Sequence, residues 1–278
     1  MERNSMRLKC ANPRCAQRRG VWRTLLLDPP PGVLLHNQWL CSAGCFDQVL
    51  EEMLGSLIDR AQAYRETQAH RFPLGLLMYS LGLISKEALQ EALEAQRETG
   101  KGRVGDWLRR LGAATEPQVT QALAMQWSIP IYPLEKCEGN LTWARLLPFP
   151  LLESFQMLPV HCAPALGLLY VAFSSKVDYT ALYAIEQMLE YRTEPCVAQQ
   201  SSVERALAKL RQESGSTDIP IAGPMDPAII SGATLEQALK FGAQEVRVAG
   251  LTNIIWVRLR APDTVRDLLF HPASGPRQ

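Results

Sequence analysis

Apolar residues in the middle of the chain recur every three or four positions, which is the spacing of one face of an α-helix. Two such stripes lie at Leu89–Leu93 and Val119–Leu123, and each follows a short apolar segment. Gly82 and Gly112 stand between segment and stripe, where helix ends commonly take left-handed backbone. The pattern therefore predicts two helix pairs, each made of a short helix, a glycine stop and a longer helix.

The two helix pairs are copies of each other at a shift of 30 residues, so that Leu74–Ile84 aligns with Val104–Ala114. Ser85 and Thr115 occupy the positions expected for the N-terminal caps of the longer helices. Internal repeats normally stack on a shared core, so we expect the copies to pack together.

Each copy has a glycine near its start and a glutamine after its stripe: Gly75 and Gln96, then Gly105 and Gln126. Glycine inside a helix costs about 1 kcal/mol relative to alanine, unless something must approach the backbone closely. A buried glutamine needs hydrogen-bond partners. Twofold repetition of such a site suits a ligand with its own twofold symmetry; a repeat kept for packing alone is the alternative.

The flanking sequence predicts strands and further helices. Before the repeat, Val21–Leu27 and Val33–Leu40 predict a strand pair around a turn at Pro29–Gly32, followed by a helix that Ser42 caps. The pattern after the repeat predicts a small α/β unit with strands Phe155–His161 and Gly167–Phe173, helix Asp178–Glu190, strand Thr193–Ala198 and helix Ser201–Arg211. A linker rich in Ser, Gly and Pro and a β-containing segment follow.

Composition narrows the class of protein. The 278 residues are 47% hydrophobic and 21% charged, too apolar for a disordered chain and too charged for a membrane bundle. The net charge of +1 provides no whole-chain attraction to nucleic acid or acidic lipid. There is no secretory signal, and the longest apolar runs fall far short of the roughly 20 residues that span a bilayer. We expect a soluble, cytoplasmic protein without membrane insertion.

Four of the seven cysteines form two close pairs, Cys10 and Cys15 followed by Cys41 and Cys45. Tetrahedral zinc usually takes its thiolates or imidazoles from two such pairs, and four thiolates would make the zinc structural. Four unrelated buried cysteines, or His36 in place of one sulfur, are the alternatives. The order of knuckle, hairpin and helix, with the stretch Trp-Leu-Cys-Ser-x-x-Cys, resembles treble-clef zinc fingers.

The first segment is also basic, with arginines at positions 3, 7, 14, 18, 19 and 23. A basic zinc finger can contact phosphates, but this one has few aromatic residues for stacking on bases. The sequence therefore favours a solvated face or a protein-docking surface over nucleic-acid binding.

Together these patterns predict an α+β fold in which a zinc finger precedes a helical tandem repeat packed with a small α/β unit, followed by a short β-containing segment. The predicted divisions are a zinc-finger-like module at 1–60, the tandem repeat at 68–135, the α/β subdomain at 136–212, a linker at 213–230 and the final segment at 231–278.

The repeated residues carry a resemblance. The pattern Arg-Leu-Gly-x-x-Leu-x-x-x-Gly-x-Ile-x4-Leu-x3-Leu-x-x-Gln, twice in tandem, resembles the N-terminal domain (MshE N-terminal type) of type II secretion and type IV pilus assembly ATPases. In that family the tandem motif binds the bacterial second messenger cyclic di-GMP, and each copy addresses about half of the ligand. The resemblance implies ligand-binding positions at Leu74, Gly75, Gly82, Leu89, Leu93, Gln96, Arg103, Gly105, Asp106, Leu108, Gly112, Leu123 and Gln126.

The first copy departs from the motif at its arginine, because Pro73 stands there and the nearest arginine is Arg71. Proline cannot stack or pair through a planar fork as arginine does, so we take Arg71 as the candidate replacement. Loss of one charge-assisted contact costs roughly 1.5 to 3 kcal/mol of binding free energy. The sequence therefore leaves two alternatives, a repeat that still binds cyclic di-GMP and one that does not.

The resemblance spans about Arg71 to Leu210, and the final segment is similar to a degenerate remnant of the next ATPase domain. No Gly-x4-Gly-Lys-Ser/Thr occurs, because Gly100-Lys101-Gly102 lacks the first glycine and the hydroxyl. We therefore expect no enzyme but a cyclic di-GMP-binding sensor or adaptor. The alternatives are a nucleotide-independent interaction module with a protein partner in a secretion or pilus apparatus and, less favoured, a zinc-finger nucleic-acid binder.

Overall fold

The computed structural model describes residues 9–16, 32–66, 71–136, 141–213 and 219–272. They fall into two compact units, which comprise 1–67, 187–189 and 216–278 in the first and 68–186 and 190–215 in the second. We call the first the sheet unit and the second the repeat unit. The mixture of helices and strands confirms the α+β fold class predicted from the sequence.

The helices of the described residues are α1 Ala43–Glu66, α2 Leu74–Ser80, α3 Lys86–Thr99, α4 Val104–Arg110, α5 Glu116–Trp127, α6 Phe149–Phe155, α7 Tyr179–Leu189, α8 Gln200–Glu213 and α9 Pro227–Phe241. The strands are β1 Val33–Leu35, β2 Gln38–Leu40, β3 Met157–Ala163, β4 Leu168–Phe173, β5 Arg192–Val197, β6 Ile219–Gly223, β7 Glu245–Gly250, β8 Ile255–Arg260 and β9 Val265–Pro272. None of the helices in these parts of the chain combines the length and apolar character needed to cross a membrane.

The sheet unit is built on six strands in the order β2-β1-β7-β8-β9-β6. Strands β7, β8 and β9 form an antiparallel meander, and β1 joins it in parallel, with Leu34 opposite Glu245. Helices α1 and α9 contribute to the core, where Phe46, Leu50 and Val257 are fully buried. The cysteine-bearing hairpin and the final segment therefore share one sheet, a pairing that the sequence did not predict.

Two predicted elements of this unit differ from the structure. The prediction of one strand over Val33–Leu40 is wrong, because His36 and Asn37, with φ of 47° and 63°, turn the chain back into a two-residue hairpin. The partner strand predicted at Val21–Leu27 lies outside the described residues, with most of its predicted turn. Strand β6 lies within the predicted linker, where it pairs in parallel with β9. It is at the edge of the sheet, the place where Pro220 is best tolerated.

The repeat unit contains the four repeat helices and a three-stranded sheet in the order β3-β4-β5. Strand β3 is antiparallel to β4, and β4 is parallel to β5, so the predicted hairpin, helix, strand and closing helix are all present. Asp178 caps α7, since its Oδ1 accepts the backbone N–H groups of Thr180 and Ala181.

The two copies of the repeat build one core. Helix α2 packs against α5, and α3 packs against α4, so each helix contacts a helix of the other copy. The buried residues fall into equivalent pairs at the 30-residue shift, namely Met78 with Leu108, Ile84 with Ala114, Leu89 with Val119 and Ala92 with Ala122. The repeat is thus a single body with approximate twofold symmetry.

Candidate functional site

The four paired cysteines lie together at the start of the sheet unit. The sulfur atoms of Cys10, Cys15, Cys41 and Cys45 are all within 4.8 Å of one another. The Sγ atoms of Cys15 and Cys41 are 3.6 Å apart, and those of Cys41 and Cys45 are 3.8 Å apart. Zinc–sulfur bonds of about 2.3 Å in a tetrahedron require sulfur separations of about 3.8 Å, so the cluster could hold one metal ion.

Local structure explains why the second pair converges. The N–H of Cys45 donates to the Ser42 hydroxyl at 3.2 Å, so Ser42 caps α1 as the sequence predicted. Cys41, directly after β2, and Cys45, in the first turn of α1, are therefore brought to the same side. His36 is elsewhere, with its Nε2 2.8 Å from the carbonyl oxygen of Val248.

The knuckle that carries the first pair is tied to both neighbouring elements. The N–H of Ala11 donates to the carbonyl of Trp39 at 2.9 Å, which fixes the knuckle to β2. The side-chain amide of Asn12 donates to Gln48 of α1 at 2.9 Å, while its oxygen accepts the N–H of Arg14 at 2.8 Å. Asn12 is almost fully buried, and it organises the turn between the two cysteines.

The cluster shifts the pKa values of two of its cysteines in opposite directions. Burial, followed by hydrogen bonds with the other cysteines, raises the pKa of Cys41 to about 12. For Cys45 burial also acts to raise the pKa, but hydrogen bonds with Ser42, Cys15, Asn12 and Cys41 outweigh it and lower the pKa to about 7. The cluster thus favours a thiolate at Cys45, which is the form that ligates a metal.

In the repeat unit, the two motif glutamines make equivalent hydrogen bonds. The Nε2 of Gln96 donates to the carbonyl of Gly102 at 2.8 Å, and the Nε2 of Gln126 donates to the carbonyl of Phe72 at 2.7 Å. Gly102 precedes the second copy and Phe72 precedes the first, so each glutamine holds the entry of the other copy's short helix. Neither glutamine is fully exposed.

The motif glycines allow close packing between protein segments. A Cβ atom at Gly75 would lie 2.5 Å from the Cδ1 of Leu89, and one at Gly105 would lie 3.1 Å from a methyl group of Val119. The atom that approaches Gly75 is thus a side chain of the same copy. Gly82 and Gly112, with φ of 68° and 71°, follow the short helices in the left-handed conformation predicted for them.

The remaining predicted ligand positions divide into core and surface. Five leucines contribute to the shared core, either buried or packed against it: Leu74, Leu89, Leu93, Leu108 and Leu123. Arg103 is exposed immediately before α4, and the carboxylate of Asp106 accepts its backbone N–H at 3.4 Å. Arg71 is exposed as well, and its guanidinium carbon lies 3.8 Å from the ring centroid of Trp127. Trp127 was not among the positions implied by the motif, although it directly follows the motif's last glutamine.

The outer faces of the two copies differ. Phe72, Leu76 and Tyr79 are 57%, 45% and 47% exposed, whereas Asp106 and Arg109 stand at the positions equivalent to Leu76 and Tyr79. Leu76 and Tyr79 lie three residues apart on one face of α2, and Phe72 stands just before this helix; we call the three residues the apolar stripe of the first copy. Only the first copy therefore presents an apolar outer stripe among the described residues.

The second copy's outer face contacts the start of α8. Arg109 donates to the side chain of Gln200 at 3.1 Å. The two carboxylate oxygens of Glu116 accept the N–H and the hydroxyl of Ser201, at 2.7 and 2.8 Å. The position equivalent to Glu116 in the first copy is Lys86, which cannot accept such bonds.

Sequence comparison relates the chain to pilus assembly ATPases. The type IV pilus assembly ATPase PilB of Thermus thermophilus is 29% identical over 205 residues, covering 68% of this chain and 22% of that protein. PilB of Myxococcus xanthus is 28% identical over 198 residues, covering 68% of this chain and 34% of that protein. The match thus spans only about a fifth and a third of these relatives' lengths. No protein-family model matches the chain.

Solved structures similar to the chain include MshE with cdg, at 29% identity and a TM-score of 0.43, covering 50% of this chain and 99% of that one. The N-terminal domain of XpsE is 16% identical with a TM-score of 0.37, covering 51% of this chain and 98% of that one. The resemblance to secretion and pilus ATPases is confirmed, since two PilB ATPases match 68% of the chain.

The cysteine geometry leads to a prediction about metal content. We expect the chain, purified under reducing conditions, to hold one equivalent of zinc, measured by elemental analysis. A Cys41→Ser, Cys45→Ser double variant is expected to lose it, because two thiolate ligands are removed. Cys162→Ala is the matched control, since Cys162 is a buried free cysteine of the repeat unit. One full equivalent of zinc in the double variant would contradict the assignment.

The exchanged glutamine bonds lead to a prediction about local stability. We expect Gln126→Ala to accelerate amide hydrogen exchange at the start of α2, and Gln96→Ala to do so at the start of α4. A lost hydrogen bond of about 0.5 to 1.5 kcal/mol corresponds to roughly two- to tenfold faster exchange. Gln90→Ala and Gln121→Ala are controls on exposed positions of the same long helices. If acceleration were confined to the copy that carries the substitution, the exchange of contacts would be wrong.

Proposed function

We propose that the tandem repeat, residues 71–127, is a receptor for cyclic di-GMP and that this chain acts as a non-catalytic sensor or adaptor. The observation that carries the proposal is the pair of exchanged glutamine contacts, Gln96 to Gly102 and Gln126 to Phe72. They join two equivalent halves into one body, which matches a ligand made of two identical nucleotides. The repeated motif that resembles the cyclic di-GMP-binding domains supports the same ligand.

In this proposal the motif residues have two kinds of role. The exposed Arg103 and Arg71 contact the ligand, because a guanidinium can pair with phosphate or stack on a base. The glutamines and glycines act indirectly: Gln96 and Gln126 hold the entry segments, and Gly75 and Gly105 let the helices pack closely. The motif leucines supply the core that keeps the two halves in register.

The similarity to PilB supports a place in type IV pilus assembly or the related type II secretion system, with a protein partner from that apparatus. Hydrolysis is not proposed for the residues of this chain, because the sequence lacks a phosphate-binding Gly-x4-Gly-Lys-Ser/Thr. Binding of cyclic di-GMP would then change how the repeat presents its surface to the partner.

Zinc in the four-cysteine cluster has a structural role in this proposal. Cys10, Cys15, Cys41 and Cys45 fit a closed thiolate shell, which leaves no open position for a substrate. When bound, the metal supplies cross-linking between the knuckle, β2 and the start of α1. Thiolates persist in reducing compartments, so we propose that the protein is cytoplasmic.

Titration calorimetry with cyclic di-GMP tests the receptor proposal. We expect the zinc-loaded chain to bind one dinucleotide per chain, shared by the two copies. Arg103→Ala is expected to weaken binding by roughly ten- to a hundredfold, because a charge-assisted contact is lost. Arg97→Ala is the control, since it removes an exposed charge from the end of α3. Absence of binding by folded, zinc-loaded protein would overturn the proposal, as would equal weakening by Arg97→Ala.

A nucleotide-independent docking role is the second candidate, and the stripe of Phe72, Leu76 and Tyr79 favours it. Exposed apolar side chains that lie close together commonly mark a protein-binding surface. On the second copy Arg109, the counterpart of Tyr79, already contacts Gln200 of α8 within the chain. The first copy's stripe is therefore proposed to bind an apolar segment of a pilus or secretion protein.

Site-specific photocrosslinking in a piliated host tests this second role. A photoreactive residue at position 79 is expected to capture a pilus or secretion protein, whereas one at Tyr183, which is also exposed, is not. Capture at position 79 that is unchanged by Arg103→Ala would favour docking without nucleotide. Capture of the same protein at both positions, or at neither, would contradict a specific surface on α2.

A further inference from the structure

The first copy of the repeat lacks the arginine that the second copy has. Alignment at the 30-residue shift places Pro73 opposite Arg103. Pro73, with φ of −58° and ψ of 134°, precedes α2 in extended backbone and has no side-chain donor. A symmetric ligand would therefore meet a cation in one half of the site and none at the equivalent position of the other half.

An arginine held by an aromatic ring lies two residues before Pro73. The guanidinium carbon of Arg71 is 3.8 Å from the ring centroid of Trp127, which is close enough for a stacked cation–π contact. Arg71 remains exposed while Trp127 is half-buried. One face of the guanidinium is thus covered by the indole, and exposure leaves part of the group accessible to a ligand.

Neighbouring contacts keep the two side chains together. The side-chain Nε2 of Gln126 donates to the carbonyl of Phe72 at 2.7 Å, so the residue before Trp127 is bonded to the residue after Arg71. On α7, the ring of Tyr179 lies 6.3 Å from the Trp127 ring, which gives the indole an aromatic neighbour. The pair is therefore held by this side-chain-to-backbone bond between neighbouring residues as well as by stacking.

The pair has no counterpart at the positions related to it by the 30-residue shift. The second copy has Lys101 at the position equivalent to Arg71, and the first copy has Arg97 at the position equivalent to Trp127. Lys101 and Arg97 together contain no indole, so this equivalent pair cannot form an indole–guanidinium stack. The departure from internal symmetry at Arg71 and Trp127 thus coincides with the departure at Pro73.

We propose that Trp127 is a positioning residue that holds Arg71 as a flat cationic platform, which binds one guanine of cyclic di-GMP in place of the arginine absent at position 73. The inference rests on the proposed receptor function. A planar guanidinium offers its face for stacking and its edge donors for the O6 and N7 acceptors of guanine. An arginine at position 71 can make both contacts as well as one at position 73. A lysine on the same indole lacks both the plane and the fork.

Calorimetric binding of cyclic di-GMP to single and double variants of the full, zinc-loaded chain tests the platform. We expect Arg71→Lys and Trp127→Leu each to weaken binding about tenfold, and Trp127→Phe to weaken it less, because phenylalanine retains an aromatic face. Trp143→Leu is the matched control, since it removes a half-buried tryptophan of the same unit outside the repeat. For Arg71→Ala, which removes one positive charge, Arg97→Ala is the matched control.

The double variant Arg71→Ala, Trp127→Leu separates positioning from a structural effect. If Trp127 acts through Arg71, the double variant binds no more weakly than Arg71→Ala alone. If the two losses multiply, Trp127 acts independently of Arg71 and the inference is wrong. Wild-type binding that Arg71→Ala leaves unchanged overturns the platform but leaves the receptor proposal standing, whereas no binding by the wild type overturns both.

Discussion

The repeat unit depends on two hydrogen bonds exchanged between its copies. In each bond the glutamine that ends one copy's motif donates to a backbone carbonyl just before the other copy begins. Gln96 donates to Gly102, and Gln126 donates to Phe72. Because each short helix also packs on the long helix of the other copy, neither copy can form its contacts alone. The two entry segments are consequently held in equivalent positions within one chain.

In the sheet unit the main constraint is the pairing of two strands that are more than 200 residues apart in sequence. Strand β1 pairs with β7, so that Leu34 lies opposite Glu245. Closing so long a loop costs conformational entropy, and three-residue strands supply little hydrogen bonding to offset it. A metal ion bound by the four cysteines, as proposed above, would offer that compensation, since structural metal sites contribute directly to folding free energy. The buried ion pair of Arg258 with Asp267 adds a further fixed point in the neighbouring strands.

Local features were predictable wherever the cause lay within a few residues. Cysteine spacing, the Ser42 cap and the glycine stops at Gly82 and Gly112 were each read from short patterns, and the structure has them. The hairpin turn at His36 and Asn37 was missed because this dipeptide is not one of the Asn-Gly, Asp-Gly or Gly-Gly pairs that mark a two-residue hairpin. Strand β6 was missed because Pro220 and nearby serine and glycine residues are typical of a linker, and only its partner β9 makes it a strand.

The sequence by itself determined the repeat, the paired cysteines and the resemblance to secretion and pilus ATPases, because spacing along the chain records each of them. The tertiary structure decided which atoms meet across the 30-residue shift. It assigned the glutamines to backbone carbonyls, filled the space at Gly75 with Leu89, and placed Arg71 on Trp127. The partners in these contacts are set by how the helices pack, which periodicity alone does not specify.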